Sequence, residues 1–446
     1  MNYLKAVILD WAGTTVDFGC HAPVAVLQQL FAEEGVPIHA SEARRDMGLL
    51  KLDHIRAILG QERIAGAWRD VHGRAAEEAD AQRMFQRFGS DHETRLAEFS
   101  GVIPGVSEAV AAMRGRGLRI GATTGYTRAM LAPILERAAG HGYLPDASVT
   151  PDEAAAGRPA PWMIFRNLEL LGVYPASACV KIGDTPTDME EGSNAGCWTV
   201  GVLDSGNQIG RTAAEWDALS PDRQNIERGL AREVLLRAGA DFTVNTLADL
   251  PAVLDEIEAR LSERDAEKRT AEILRMLAGA QSQYFGEPVT QLEHAIESAE
   301  LAMRAQAGDA LIAAALLHDI GHVLAPDSEL GSGNHEEAGA RFLEQSGCDR
   351  RVVELVRGHV AAKRYLVATD SSYAGQLSEV SIETLRLQGG PMSAEEVRRF
   401  EASPLKDDLI ALRRWDEAAK IPGASSTRLE SFQPLLRRML ANAAQR

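Results

Sequence analysis

Cysteine is scarce in this 446-residue chain: Cys20, Cys179, Cys197 and Cys348 are its only four, and no two form a C-x-x-C pair. That scatter excludes a disulfide framework and a thiolate zinc site, and it fits a reducing cytoplasm. Basic residues are short too, with 47 Lys and Arg against 64 Asp and Glu, a net charge of −17. No dense Lys/Arg cluster overrides the excess locally, so nucleic acid and anionic lipid are excluded as expected partners and small molecules remain. No apolar run reaches the roughly 18 residues needed to cross a bilayer. The opening MNYLKAVILD runs into an aspartate without a small-residue cleavage site, so a cytoplasmic location is expected. Internal repeats and low-complexity segments are also missing, which leaves a multidomain enzyme as the expectation for a chain this long.

What is present falls into two patterns. Short apolar runs without helical period occur at 4–9, 118–122, 180–183, 199–202 and 242–244, separated by stretches with helical period. This is the βαβ rhythm of a doubly wound α/β sheet. The span of about 20–100 is too long for one crossover and predicts an inserted helical cap. Beyond Leu250 the strand signal ends, and periodic segments at 292–307, 311–318, 336–345 and 351–359 predict an all-α second part. The expected domains are 1–258 and 271–446, joined by a helical linker at 259–270.

Asp10 closes the first predicted strand, where open α/β sheets bind ligands, and the W-A-G-T-T turn after it offers backbone N–H groups to a phosphoryl oxygen. Three further pieces follow in order: Thr123-Thr124-Gly125, Gly157-Arg158-Pro159, and Gly183-Asp184-Thr185-Pro186-Thr187-Asp188. A hydroxyl such as Thr124 can bond a phosphoryl group, Arg158 can neutralise it, and Asp184 and Asp188 can hold Mg²⁺ beside Asp10. Taken singly, each piece reads equally well as a turn aspartate, a strand-end threonine, a surface arginine or an Asx turn. In this order the four resemble the haloacid dehalogenase superfamily over about residues 1–258.

Phosphatases of that superfamily carry a second aspartate two residues after the nucleophile, and here that position is Ala12. The form D-W-A-G-T-T-x-D resembles phosphonoacetaldehyde hydrolases, as does Met47-Gly48-Leu49-Leu50-Lys51 with His54 after it. A C–P bond leaves carbon as a carbanion, which an iminium can accept and an ordinary carboxylic acid cannot stabilise. The resemblance implies that Lys51 forms a Schiff base with the aldehyde while Asp10 takes the phosphoryl group. His54, three residues along a helix, is a candidate proton shuttle. The resemblance also implies Mg²⁺ held at Asp10, Ala12, Asp184 and Asp188, and a pocket formed by Ala12, Gly13, Cys20, Met47 and Tyr126. Core packing explains Cys20 and Tyr126 equally well.

In the second part, His318-Asp319 ends an apolar helix and stands among His294, His335, His359 and Asp416. Four imidazoles and two carboxylates exceed the needs of one ion, which points to two metals with Asp319 between them. The pattern resembles the HD domain. Tyr284 and Glu287 ahead of the first histidine resemble the di-iron oxygenases of that superfamily that cleave 1-hydroxy-2-aminoethylphosphonate. The resemblance implies two Fe and O₂ as co-substrate, Tyr284 at an iron position and Glu287 on the substrate ammonium. It also implies His322, Lys363, Ser381, Gln388 and Arg413 on the phosphonate. An HD phosphohydrolase and a metal-binding regulatory module remain open for this part, and a sugar-phosphate phosphatase or mutase is disfavoured for the first by Ala12 and Lys51. Small-molecule phosphonates are the expected partners, and a homodimer is compatible with them.

Overall fold

Six short buried runs assemble into one parallel sheet: β1 (Ala6–Leu9), β2 (Arg119–Thr123), β3 (Ala147–Val149), β4 (Cys179–Gly183), β5 (Trp198–Val202) and β6 (Phe242–Val244). Their spatial order is β3-β2-β1-β4-β5-β6. The computed structural model describes residues 3–90, 101–281, 288–324, 335–377, 381–382, 385–386 and 388–441. It divides into two compact units, 2–261 and 262–446. In the first unit, β1 and β4 are buried throughout, as strands covered on both faces by helices must be. Their register pairs Leu9 with Ile182, so the chain order reverses at this pair and the residues that follow both strands emerge side by side. Strand β3 was not among the expected runs. It has only three residues, two of them half-buried at the sheet edge, too few for an apolar run to show.

Between β1 and β2 the chain forms the cap helices α1 (His21–Glu33), α2 (Ala40–Arg44), α3 (Lys51–Leu59), α4 (Glu62–His72) and α5 (Glu78–Ser90). The cap has its own apolar centre, with Leu30, Phe31, Ile55, Ile58, Trp68, Met84 and Phe88 fully buried. The core helices are α6 (Val106–Gly115), α7 (Arg128–Gly140), α8 (Trp162–Leu171), α9 (Pro186–Ala195), α10 (Ala213–Asp217) and α11 (Pro221–Arg237). Helix α12 (Leu250–Gly279) then runs through the unit boundary without a break.

Beyond the end of α12, the regular elements described in the second unit are helices: α13 (Gln291–Arg304), α14 (Asp309–Leu317), α15 (Ile320–Val323), α16 (His335–Gln345), α17 (Arg350–Thr369), α18 (Ala394–Glu401), α19 (Lys406–Ala418) and α20 (Gln433–Ala441). A capping box starts α13: Thr290 accepts from the Glu293 backbone N–H, and Glu293 accepts from that of Thr290. This sets His294 in the first turn, facing inward. Helix α14 is nearly all alanine and leucine and almost wholly buried, and its small side chains let α13, α17 and α19 pack close around it. Helix α17 extends ten residues past His359, because Val360, Ala362, Tyr365 and Leu366 continue its buried stripe between charged neighbours.

Candidate active sites

Asp10 leaves β1 with its N–H bonded to the Ile182 carbonyl at 2.9 Å, and Asp184 leaves β4 beside it. Asp188 enters from the first turn of α9, where its Oδ2 accepts from Thr185 Oγ1 at 2.5 Å and from the Thr185 N–H at 3.2 Å. One carboxylate oxygen of each lies within 4.8 Å of the others, and all three side chains are buried. Arg158 spans them, reaching Asp10 at 2.6 Å, Asp188 at 2.9 Å and Glu191 at 3.0 Å. Lys181, fully buried inside β4, pairs with Asp188 at 2.9 Å and Glu191 at 3.3 Å. Arg158 and Lys181 both donate to Thr123 Oγ1, which in turn donates to Glu191.

Lys181 and Glu191 were not among the sequence candidates. The signal available was a lysine inside an otherwise apolar parallel strand, a position that admits a charge only if the charge is paired.

Four buried carboxylates thus face two buried cations, so with all four ionised two negative charges would remain uncompensated. Burial first, then the Asp10 and Asp188 charges, push Asp184 up to about 8, although Asn207 N–H and Thr14 donate to it. Burial also raises Asp10. Burial alone would raise Asp188 as well, but Arg158 and Lys181 hold it below the usual carboxylate range. An all-oxygen cluster with a deficit of two charges fits a divalent cation such as Mg²⁺.

The cap supplies the other wall. A cavity is lined by Asp10, Ala12, Cys20, Met47, Gly48, Lys51, Thr124, Tyr126 and Arg158, among others. Lys51 is the first residue of α3, with Nζ 3.7 Å from Met47 Sδ and 5.4 Å from the Tyr126 ring centre. Burial lowers its pKa to about 8, against the pull of Cys20 and Asp10. Cys20 donates to the Ala12 carbonyl and to Asp184, and burial pushes its thiol well up. Gly13 donates to Val16 and accepts from Ser205 in the turn behind Asp10. Thr124 accepts from the Tyr126 N–H at 3.2 Å.

His54 is not among the cavity-lining residues. It is fully buried, with Nε2 2.8 Å from the Ala43 carbonyl, and burial lowers it to about 3. Gly48 lets the cap loop meet the core: at φ 97° a Cβ would stand 2.6 Å from Thr185 Oγ1.

In the second unit the six expected ligands converge in two groups, His294, His318 and Asp416, and Asp319, His335 and His359. Asp319 divides its oxygens between them. Its Oδ2 faces His318 at 3.4 Å and His294 at 3.7 Å, and its Oδ1 faces His335 at 3.3 Å and His359 at 3.6 Å. Three imidazoles are held from behind: Nδ1 of His294, His318 and His359 contacts the carbonyls of Ala419, Ala315 and Val356 at 2.7, 2.9 and 2.7 Å. With Nδ1 as the donor, each presents its Nε2 lone pair inward. The Nε2 atoms meet in pairs, His294 with His318 at 3.2 Å and His335 with His359 at 3.1 Å. Nε2 atoms at that distance share a proton or a metal ion, and the two groups of N and O donors could each hold a metal ion, with Asp319 between them. Gly321 makes the convergence possible, since a Cβ there would lie 2.0 Å from the His335 carbonyl at the start of α16.

Around this centre His322 stacks on His335 at 3.9 Å. Arg413, buried on α19, bonds Tyr373 OH at 2.8 Å and pairs with Asp416 and Glu417. Lys363 is buried, and burial first, then Arg413, lowers it to about 8. Ser381 lies 3.5 Å from Glu417 and accepts from Lys420 at 3.3 Å. Gln388 is half-buried, and its enclosed Oε1 has no partner among the described residues. Tyr373, Glu417 and Lys420 carried no sequence signal. Tyr284 and Glu287 lie outside the described residues.

Comparison with known proteins gives these two constellations a lineage. Residues 4–196 match the haloacid dehalogenase-like hydrolase family, and residues 292–398 match the HD domain. Phosphonoacetaldehyde hydrolase of Bacillus cereus (strain ATCC 10987 / NRS 248) is 46% identical over 255 residues, 57% of this chain and 97% of that protein. Phosphonoacetaldehyde hydrolase of Bacillus anthracis is 45% identical over the same shares. The crystal structure of a phosphonoacetaldehyde hydrolase-like protein from Oleispira antarctica superposes with a TM-score of 0.57 at 40% identity, over 58% of this chain and 94% of that one. The chain therefore belongs to the phosphonoacetaldehyde hydrolase family of haloacid dehalogenase-like hydrolases, and it carries an HD domain behind that hydrolase unit.

Proposed function

We propose that the first unit hydrolyses phosphonoacetaldehyde to acetaldehyde and phosphate. The observation that carries this reading is that one cavity holds both a carboxylate at a strand end, Asp10, and a buried lysine of lowered pKa, Lys51. Lys51, favoured by burial in its neutral amine form, adds to the aldehyde and loses water to give an imine, which then takes up a proton. The Asp10 carboxylate attacks phosphorus, and the C–P electron pair flows into the protonated imine, leaving an enamine on Lys51 and a phosphoryl group on Asp10. Water then releases phosphate from Asp10, and protonation and hydrolysis of the enamine release acetaldehyde. Arg158 and Thr124 hold the phosphoryl oxygens. A Mg²⁺ ion held by Asp10, Asp184 and Asp188, with Ala12 beside it, would supply charge neutralisation between phosphonate and carboxylate. Ala12 removes the acid a phosphate ester needs, and an imine needs none there.

For the second unit we propose O₂-dependent cleavage of 1-hydroxy-2-aminoethylphosphonate to glycine and phosphate. The support is the division of the Asp319 oxygens between two histidine pairs. Two iron ions held by the six ligands would supply one-electron chemistry with O₂. Lys363 and Arg413 offer the cations for a phosphonate, with Ser381, Gln388 and His322 around them, and Tyr284 and Glu287 are assigned to the iron and the ammonium.

Both readings are tested together by metal analysis with phosphate release on the two phosphonates, with and without O₂. Borohydride with phosphonoacetaldehyde should add mass to Lys51. Unmodified Lys51 during turnover would remove the Schiff base. Full activity of the second unit under anaerobiosis, or nucleotide phosphatase turnover with Mn²⁺, would replace the oxygenase by an HD phosphohydrolase.

A further inference from the structure

The cap meets the core at a second place, away from Lys51. Arg44, the last residue of α2, sends one nitrogen to the Gly19 carbonyl at 2.6 Å and to Asn207 Oδ1 at 3.2 Å. Its other terminal nitrogen donates to the Gly210 carbonyl at 3.2 Å and faces His21 Nδ1 at 3.5 Å. Asn207 returns the contact, donating Nδ2 to the Arg44 carbonyl at 3.1 Å. The Asn207 backbone N–H donates to Asp184 Oδ2 at 2.7 Å. Gly19 lies in the left-handed turn that leads into the cap and donates to the Ser205 carbonyl, so the same core loop holds the hinge. There is little slack at this junction, because a Cβ on Gly210 would fall 2.8 Å from the Arg44 guanidinium.

We propose that Arg44 is a latch: through Asn207 it ties the closed position of the cap to the orientation of the Asp184 carboxylate. The inference rests on the hydrolase reading above. Arg44 touches neither the reacting carbon nor phosphorus, so it is a positioning residue. Its rigid fork spans three acceptors from two core loops, which an ammonium cannot do at once. When the cap swings away, Asn207 loses both of its cap contacts, and the loop that presents its N–H to Asp184 is released. Cap closure and carboxylate placement then occur as one event, so the cation site is fully formed only while Lys51 is in place over Asp10.

The test uses the full chain and the variants R44A, R44K and N207A, with folding checked by circular dichroism. Mg²⁺ binding is measured directly by calorimetry, since a histidine-rich centre holds this oxygen-seeking ion poorly. The rate of borohydride trapping at Lys51 and steady-state phosphate release are measured alongside. In folded R44A the Mg²⁺ dissociation constant should rise about tenfold, and trapping at Lys51 and turnover should fall together. R44K should lie nearer to R44A than to wild type. N207A should show the same losses, and R44A with N207A combined should be no worse than the more damaging single change, as expected for residues acting as one unit. Unchanged Mg²⁺ binding in folded R44A or R44K, or losses that multiply in the double variant, would overturn the latch. Wild-type protein that neither releases phosphate from the aldehyde nor is trapped at Lys51 would overturn the hydrolase reading and the latch with it.

Discussion

An ordinary lysine with a pKa near 10.5 is neutral in about three molecules in ten thousand at pH 7, whereas one at about 8 is neutral in about a tenth of them. In the proposed mechanism Lys51 would therefore gain its nucleophilicity from burial. Below pH 8 the rate of imine trapping should rise about tenfold per pH unit and then level off, because only the form without its proton attacks. Stopped-flow trapping across pH 6–9 checks this, and a flat profile would contradict the assignment. K51R keeps the charge but cannot form an imine, so it should retain the fold and release no phosphate. Lys181 makes the opposite prediction. It is not among the residues lining the cavity, yet it pairs with Asp188 and Glu191 in a fully buried network. K181M should cost about 3–5 kcal/mol of stability, the usual result of breaking a buried ion pair from one side, measured by denaturant titration of the chain.

At the scale of elements, the approach of cap to core hangs on the loop 47–51. In G48A the added carbon would meet Thr185 Oγ1 and the backbone would resist its left-handed angle. We expect at least a tenfold fall in turnover with the secondary structure kept, read by phosphate release and circular dichroism. A variant with wild-type turnover would show that the loop has room the geometry denies it. This loop also shows how far the sequence could be read. Met47, Gly48 and Lys51 were visible as a motif because their chemistry is local, and Asp10, Asp184 and Asp188 because strand ends punctuate the chain. The apolar runs at 4–9 and 180–183 marked β1 and β4, since burial on both faces leaves no polar positions to blur the signal. What stayed hidden depends on contacts between distant segments. Glu191 is unremarkable until α9 lies against β4, the contact of His54 with the Ala43 carbonyl appears only once the cap is folded, and the pairing of Arg44 with Asn207 joins residues 163 positions apart. In the HD unit the six candidate ligands stood out as residues, but the division of the Asp319 oxygens needed α14 and α16 in place.

At the scale of the whole molecule, each unit has its own apolar core, one built around Leu9, Trp11, Phe31 and Ile120 and the other around Leu316, Val356, Leu412 and Leu436. Cores that share no side chains can melt separately, so calorimetry should resolve two transitions. A transition metal should raise only the one that belongs to the HD unit, since a ligand stabilises the state that binds it. A single transition moved by the metal would argue for one cooperative unit. In the same spirit, D10N should abolish phosphate release from the aldehyde and leave the second activity intact, and D319A should do the reverse, with both proteins assayed on both phosphonates. The histidine centre has one more consequence. His294 and Ala419 are already joined across 125 positions by a hydrogen bond, and ions shared among α13, α14, α16, α17 and α19 would close four long loops of the chain at one point. In a protein whose four cysteines are all buried and unbridged, a loaded centre would be the cross-link, doing for the helical unit what disulfides do for secreted domains. A chelator should therefore loosen the unit's slowest-exchanging amides along with its chemistry.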